Sequence, residues 1–93
     1  MGKPPREKEI MDTTARKSGD TDKEMGERVR AMRLRVGMTQ TELGAALGVS
    51  FQQVQRYERG VNRLSIGMFI AVCRTLKVDP MDLIGHYFSE GTV

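Results

Sequence analysis

A chain of 93 residues is long enough for one small domain with a modest core and too short for two. Five aromatic residues, no tryptophan and an apolar content of 39%, mostly aliphatic, favour an all-α fold over stacked β-strands. The formal net charge of +3 indicates little by itself, but residues 22–64 contain eight basic and five acidic side chains, whereas residues 65–93 contain two and three.

The first 20 residues are predicted to be a flexible, charged N-terminal arm. They read MGKPPREKEIMDTTARKSGD, with both charge signs, two prolines and few large apolar side chains. Such a segment cannot bury enough surface to offset the entropy lost on ordering. Its middle, residues 6–17, could still form a helix against a partner. Residues 21–88 are predicted to form the folded domain, and residues 89–93 a C-terminal tail.

The first helix of the domain is predicted to begin at Thr21. The tetrad TDKE has the capping-box pattern, in which a hydroxyl and a carboxylate three residues later satisfy backbone N–H groups. The apolar positions then recur at helical spacing, and Gly37 is expected to end the helix. These positions are Met25, Val29, Met32 and Val36.

Two further capping boxes predict the next two helices. TQTE, beginning at Thr39, precedes a helix that ends at Gly48, and SFQQ, beginning at Ser50, precedes a third helix after a break of about three residues. Gly44 is small where the two helices must approach each other closely. Leu43, Leu47 and Val54 are apolar where the pair rests on the rest of the domain. This order of constraints is typical of a helix-turn-helix.

The last two helices are predicted from caps at Ser65 and Asp79. The fourth helix has a broad apolar arc and is expected to be the most buried. Its apolar residues are Ile66, Phe69, Ile70, Val72, Cys73 and Leu76. Asp79 is followed by Pro80, which is tolerated in the first turn of a helix, and this fifth helix is expected to continue towards Phe88.

The run GMTQTELGAALGVSFQQVQRYERG resembles the Cro and lambda-repressor-like helix-turn-helix family, also called the xenobiotic response element family, of bacterial and phage DNA-binding regulators. The resemblance covers residues 22–85 and leaves the arm unexplained. It implies a five-helix, lambda-repressor-like DNA-binding domain with the helix-turn-helix at helices two and three. Two departures from the pattern are Gly67, which lowers the helix propensity of helix four, and Phe51, an aromatic that is uncommon at the first turn of helix three.

The family places the third helix in the major groove of DNA. A helical wheel puts Gln53, Val54 and Tyr57 on a packing face, and the resemblance implies that the opposite face reads bases. The predicted base-reading residues are Phe51, Gln52, Gln55 and Arg56. Glutamine can pair with adenine, arginine with guanine, and an apolar ring can contact a thymine methyl group.

Other polar residues are predicted to hold the sugar-phosphate backbone, which positions the protein without reading sequence. The predicted phosphate-binding residues are Gln40, Ser50, Arg59, Asn62 and Arg63. Arg28, Arg30 and Arg35 are more simply explained as a solvated basic face. Arg33 and Glu58 match positions that form a structural ion pair in several family members.

Excess apolar surface on helix five predicts a two-fold dimer through the C-terminal region. The predicted interface residues are Met81, Ile84, Tyr87 and Phe88.

Several classes of function are excluded by what the sequence lacks. A single cysteine, Cys73, forms no internal disulfide and is expected in the core, and neither a zinc cluster nor a partner set for His86 exists. No membrane span, signal peptide, cofactor or small-molecule ligand is predicted, so a cytoplasmic protein is expected. No nucleophile, general base, metal set or phosphate loop is assembled, which argues against an enzyme.

Two functional hypotheses remain. The first is a sequence-specific transcriptional regulator that occupies a palindromic operator on double-stranded DNA as a homodimer, chiefly as a repressor that excludes polymerase, although activation is also compatible. The second is an antitoxin or protein-bridging module whose arm captures a partner protein.

Overall fold

The computed structural model describes the backbone of residues 7–89 and the side chains of residues 19–88, and this part of the chain is helical without strands. Six helices follow one another, which confirms the all-α prediction. They are α1 (Glu7–Arg35), α2 (Gln40–Leu47), α3 (Phe51–Glu58), α4 (Ile66–Leu76), α5 (Pro80–Ile84) and α6 (His86–Ser89). Among these residues, no helix combines the length and the apolar character needed to cross a membrane.

Helix α1 begins earlier than the sequence predicted. Thr21 lies inside the continuous helix Glu7–Arg35, so the predicted N-cap at Thr21 is wrong. The preceding residues EKEIMDTTARK include good helix formers, and Gly19, which follows them, does not interrupt the helix. The helix therefore extends into the predicted arm. That residues 1–20 act as a separate flexible arm stays a prediction.

The C-terminal end of α1 is formed as predicted. Gly37 has a φ of 75°, and the backbone N–H of Met38 donates to the carbonyl oxygen of Arg33 at 3.0 Å. This left-handed residue reverses the chain and leads it into α2. Val36 follows the last helical residue and is 48% exposed, so its predicted place on the apolar face of α1 is wrong.

Helices α2 and α3 form the predicted helix-turn-helix. At α2 the capping box is complete, because Thr39 Oγ1 accepts from the Glu42 backbone N–H at 3.0 Å and the Glu42 carboxylate accepts from the Thr39 N–H at 2.8 Å. At α3 only half of the predicted box exists. Ser50 Oγ accepts from the Gln53 backbone N–H at 3.1 Å, but the Gln53 side chain donates to Asn62 instead of accepting from Ser50.

The core lies where α1, α2, α3 and α4 meet. Its central side chains are at most 2% exposed, namely Val29, Leu43, Val54, Val72 and Leu76. The prediction that α4 would be the most buried helix is wrong for its N-terminal half. Ile66 and Ile70 are 77% and 49% exposed, because only the C-terminal half of α4 packs in the core, with Val72, Cys73 and Leu76 buried.

The predicted fifth helix is interrupted at Gly85. Residues 80–84 form α5, and a separate short helix α6 begins at His86. The Gly85 N–H still donates to the Met81 carbonyl at 2.8 Å, but the Phe88 N–H donates to the Gly85 carbonyl only three residues earlier. This tighter hydrogen-bonded turn separates the two helices.

Two close helix approaches require glycine. A Cβ atom at Gly44 in α2 would lie 2.6 Å from the Val49 carbonyl oxygen, which leads into α3. A Cβ atom at Gly26 in α1 would collide with the Tyr57 carbonyl oxygen and lie 2.6 Å from that of Glu58. Gly44 allows the start of α3 to lie close to α2, and Gly26 allows the end of α3 to lie close to α1. Both glycines therefore help to position α3.

Candidate nucleic-acid interface

Helix α3 has one exposed face and one packed face. Phe51 is 43% exposed, and the other three predicted base-reading residues, Gln52, Gln55 and Arg56, are also exposed. On the opposite face Val54 is 1% exposed. Gln53 and Tyr57 on the packed face are half-buried. The division between faces therefore matches the helical wheel.

A buried ion pair fastens α3 to α1. Arg33 Nε lies 2.6 Å from Glu58 Oε2, and Arg33 Nη2 lies 3.0 Å from Glu58 Oε1. Each residue is 5% exposed. The third guanidinium nitrogen, Nη1, donates to the Met38 carbonyl oxygen at 2.9 Å in the loop before α2. Arg33 thus connects α1, α3 and the start of the helix-turn-helix.

The ion pair changes the pKa of Arg33. The hydrogen bond to Glu58 raises the pKa of the Arg33 guanidinium above its ordinary value; burial opposes this rise and the negative charge of Glu58 adds to it. Arginine is a cation in proteins in any case, and the contact with Glu58 further favours this form; a carboxylate is the matching partner in a bidentate contact. Glu58, the one acidic residue of α3, is turned inward and leaves the outer face without a carboxylate.

Gln40, at the start of α2, shares this network. Its Nε2 donates to Glu58 Oε1 at 3.1 Å, and its side chain is half-buried. Gln40, a predicted phosphate contact, therefore binds the same Glu58 carboxylate as Arg33. An amide nitrogen has two N–H donors, so one remains for a phosphate oxygen.

The loop after α3 brings Asn62 and Arg63 together. The backbone N–H groups of Val61 and Asn62 both donate to the Arg56 carbonyl, at 2.9 and 3.2 Å. Asn62 is half-buried and accepts from Gln53, whereas the Arg63 side chain is 68% exposed and its Nε lies 3.0 Å from Asp22 Oδ2 on α1. Arg63 is therefore accessible to a phosphate but already has an acidic neighbour.

The remaining predicted phosphate contacts are exposed at the two ends of α3. Ser50 is its N-cap and Arg59 its C-cap. On α1, Arg30 and Arg35 are exposed as expected for a solvated face, whereas Arg28 Nη2 lies 3.1 Å from His86 Nε2. Within residues 7–89 no group of three candidate metal ligands occurs.

The predicted dimer residues differ in accessibility. Met81 and Phe88 are each 56% exposed, whereas Ile84 and Tyr87 are half-buried. The Tyr87 hydroxyl donates to Glu24 Oε1 at 2.6 Å, which fastens α6 to α1. Burial, followed by this hydrogen bond, raises the pKa of Tyr87 to about 12. Tyr87 therefore has an intramolecular role that the sequence did not indicate.

A groove of about 220 Å³ lies beside these residues. Its lining is largely apolar and joins α1, α4, α5 and the loop after α3. Met25, Leu64, Phe69 and Ile84 line it, together with the predicted phosphate contacts Asn62 and Arg63. The groove connects Ile84 of the predicted interface to the exposed end of α4. The sequence missed it because it arises from the relative placement of three helices.

The comparison with protein families identifies this arrangement. A sequence model of the helix-turn-helix family HTH_3, which is Cro and lambda-repressor-like, matches residues 29–83. The chain belongs to this family. The matched segment begins within α1 and ends within α5, so it includes α2, α3 and the buried ion pair. The HTH_3 family and the relatives are DNA-binding transcriptional regulators, which confirms the prediction that this chain is not an enzyme.

Individual relatives agree with this assignment. An uncharacterized HTH-type transcriptional regulator of Sinorhizobium fredii is 45% identical over 80 residues, which are 86% of this chain and 52% of that protein. An uncharacterized transcriptional regulator in the ATPase CF(0) region of Rhodospirillum rubrum is 41% identical over 69 residues, 74% of this chain and 60% of the relative. The HTH_3 chain thus spans about half the length of the curated relatives it matches.

Two solved structures share the fold. The clp gene regulator ClgR from C. glutamicum has a TM-score of 0.66 and 28% identity, with 69% of this chain and 83% of that chain covered. The restriction-modification controller protein C.AhdI from Aeromonas hydrophila also has a TM-score of 0.66, with 25% identity and coverage of 70% and 94%. These similarities place the HTH_3 domain of this chain among helix-turn-helix regulators.

Proposed function

We propose that this HTH_3 protein regulates transcription by binding a palindromic operator sequence-specifically as a homodimer, chiefly as a repressor that blocks polymerase. The observation that supports this most strongly is the outer face of α3. Four side chains suited to base contacts are exposed there, while the one acidic residue of the helix is buried against Arg33. A cytoplasmic location follows for a regulator that acts on DNA.

The chemistry of this face suits the major groove. Gln52 and Gln55 are candidates for bidentate contacts to adenine, and Arg56 for a contact to the O6 and N7 atoms of guanine. Phe51, exposed at the first turn, is suited to a thymine methyl group. Residues around this face are proposed to bind phosphates, namely Gln40, Ser50, Arg59, Asn62 and Arg63.

The homodimer is proposed to form through apolar surface at the C-terminal end. Met81 and Phe88 are more than half exposed, and Ile84 extends this surface into the groove lined by α4. Ile66, which is 77% exposed, lines the same groove as Ile84 and adds to the four residues predicted from the sequence. Tyr87 is a peripheral member, because its hydroxyl is engaged by Glu24. Exposed apolar surface of this kind often marks a contact surface.

Selection of binding sites from random DNA tests the proposal directly. Full-length protein is expected to enrich a palindrome whose half-sites are about one helical turn, roughly 34 Å, apart, because both recognition helices must reach the same side of the duplex. Enrichment of a single half-site would support DNA binding without the dimer. Absence of any enriched sequence would favour the protein-binding alternative.

Titration of two arginine variants then separates base reading from phosphate binding. Arg56→Ala is expected to weaken binding to the selected site by about 1–3 kcal/mol and to relax preference at one base pair per half-site. Arg63→Ala is expected to weaken binding to all sequences similarly and to lower the slope of log affinity against log salt by about one. If the two variants behave identically at two salt concentrations, the assignment of α3 as the reading helix is wrong.

A further inference from the structure

The third residues of α2 and α3 follow similar N-caps but use their side chains differently. In α2, the Glu42 carboxylate accepts from the Thr39 N–H and completes the capping box. In α3, the equivalent residue Gln53 is directed away from Ser50, and its Nε2 donates to Asn62 Oδ1 at 3.0 Å, nine residues later. Local helix chemistry does not explain this choice, because a side chain that completes the box would satisfy one more backbone donor at the N-terminus of α3.

The contact fixes the orientation of the Asn62 amide. An asparagine side chain has an accepting oxygen on one side and a donating nitrogen on the other. Because Gln53 occupies Oδ1, Nδ2 is turned the other way, where it makes only a long contact of 3.4 Å with the adjoining Val61 carbonyl oxygen. Phosphate oxygens accept hydrogen bonds and never donate at neutral pH. The orientation imposed by Gln53 is therefore the one in which Asn62 can bind phosphate.

The position of the loop is determined separately from this orientation. Gly60 has a φ of 75°, and the Arg56 carbonyl oxygen holds the N–H groups of both Val61 and Asn62. These backbone contacts place Asn62 but leave its side-chain amide able to rotate by 180°. With Gln53 donating through Nε2, this hydrogen bond selects the orientation in which Asn62 Oδ1 accepts and Nδ2 remains a donor.

We propose that Gln53, on the packed side of the recognition helix, is a positioning residue for DNA that orients Asn62 towards a phosphate of the backbone. This inference rests on the proposed function, in which Asn62 is a phosphate contact. It also explains why a neutral amide occupies this position. A glutamate at position 53 could not donate to Asn62. It would either complete the capping box and leave the Asn62 amide unheld, or accept from Asn62 Nδ2 and reverse the amide.

The test uses the full chain and a mixed-sequence DNA duplex of about 20 base pairs, because a phosphate contact does not require the operator. Asn62→Ala is expected to weaken binding about tenfold and Gln53→Leu about fivefold, as for loss or misorientation of one hydrogen bond to a charged group. The double variant should bind like Asn62→Ala alone. Neither change should alter the salt slope, whereas the control Arg63→Ala lowers the slope by about one.

A second variant guards against a general loss of folding. Gln53→Glu can complete the capping box, so its melting temperature should be at least that of the wild type, while its DNA affinity falls. The added negative charge weakens binding whether or not Asn62 is present. The loss of DNA affinity caused by Gln53→Glu should therefore be larger in the wild-type background than in the Asn62→Ala background. The difference between the two losses measures the contribution of the Asn62 orientation.

The outcomes separate this inference from the proposed function. If the wild type binds neither this duplex nor any sequence selected from random DNA, the proposed function fails. If it binds but Asn62→Ala has no effect, or if the effects at positions 53 and 62 are additive, the positioning role of Gln53 is overturned. Non-additive losses with an unchanged salt slope support it.

Discussion

At the scale of single residues, the central feature is a charged pair inside a small core. Arg33 and Glu58 are each 5% exposed, and Gln40 and the Met38 carbonyl supply the further hydrogen bonds that such a pair requires. No buried side-chain polar atom lacks a partner among the described residues. A satisfied buried pair adds little net stability compared with apolar residues, but each member depends strongly on the other.

Removal of one member of this pair is expected to be costly. Arg33→Met strands the Glu58 carboxylate, and Glu58→Leu strands the guanidinium, so each should lower the free energy of unfolding by about 3 kcal/mol or more. The double variant should lose less than the sum, because no unpaired charge remains buried. Urea unfolding of the three variants measures these values. Small and additive losses would show that the pair is effectively solvated.

The hydroxyl of Tyr87 gives a prediction about alkaline pH. Its pKa is about 12 in the folded protein, against about 10 in an unfolded chain, so the folded state retains the proton longer. The associated stability is complete below about pH 10 and is lost as the pH rises towards 12. The stability advantage of the wild type over Tyr87→Phe should therefore shrink across this range. Urea titrations at several pH values measure it, and a constant difference would contradict the assigned contact with Glu24.

At the scale of helices, glycines have two different roles. Gly44 lies against the backbone that leads into α3, where a Cβ atom would be 2.6 Å from a carbonyl oxygen. Gly67 in α4 is exposed, and a Cβ atom there would meet only Ser65 Oγ at 4.0 Å. The first glycine is required by helix packing, whereas the second only lowers helix propensity.

These two glycines form a matched pair of variants. Gly44→Ala is expected to lower the free energy of unfolding by about 3 kcal/mol, because the backbone of the turn must move. Gly67→Ala should raise it by roughly 0.5–1 kcal/mol through helix propensity. Thermal and urea unfolding give both values. A neutral Gly44→Ala would mean that α2 and α3 can separate without loss.

At the scale of the whole molecule, one set of exposed apolar side chains lies on α4, α5 and α6, while Leu34, Val36, Phe51 and Val61 are exposed elsewhere. Met81, Phe88 and Ile66 are each more than half exposed, and Ile84 links α5 to the groove beside α4. A domain of this size has too little interior to bury such residues within one chain. In the proposed dimer, a second copy covers part of this surface.

The predicted dimer can be tested with two matched charge substitutions. Met81→Glu should abolish self-association at micromolar concentration, because it places a charge in the proposed interface. Leu34→Glu changes a residue of similar exposure, 51%, on α1 and should leave self-association unchanged. Sedimentation of the wild type and both variants measures this. A monomeric wild type, or equal loss in both variants, would exclude this interface.

The sequence by itself determined the N-caps at Thr39, Ser50, Ser65 and Asp79 and the division of α3 into two faces, but not the start of α1 or the interruption at Gly85. These features depend on neighbours within four residues. TQTE therefore predicted a complete capping box, and the helical wheel predicted the exposed face formed by Phe51, Gln52, Gln55 and Arg56. The resemblance then supplied the family and a DNA-binding role, and the family is confirmed. The contacts of individual residues with DNA remain proposals.

Only the tertiary structure decided how distant residues combine. The Gln53 side chain binds Asn62 instead of completing the predicted capping box. Gly26 is required because the end of α3 lies against α1. Ile66 is exposed because no helix covers the start of α4. None of these outcomes follows from hydrophobic periodicity, which records the face a residue occupies along its own helix. The neighbour that this face meets depends on how the helices pack together, and that packing joins residues far apart in the chain.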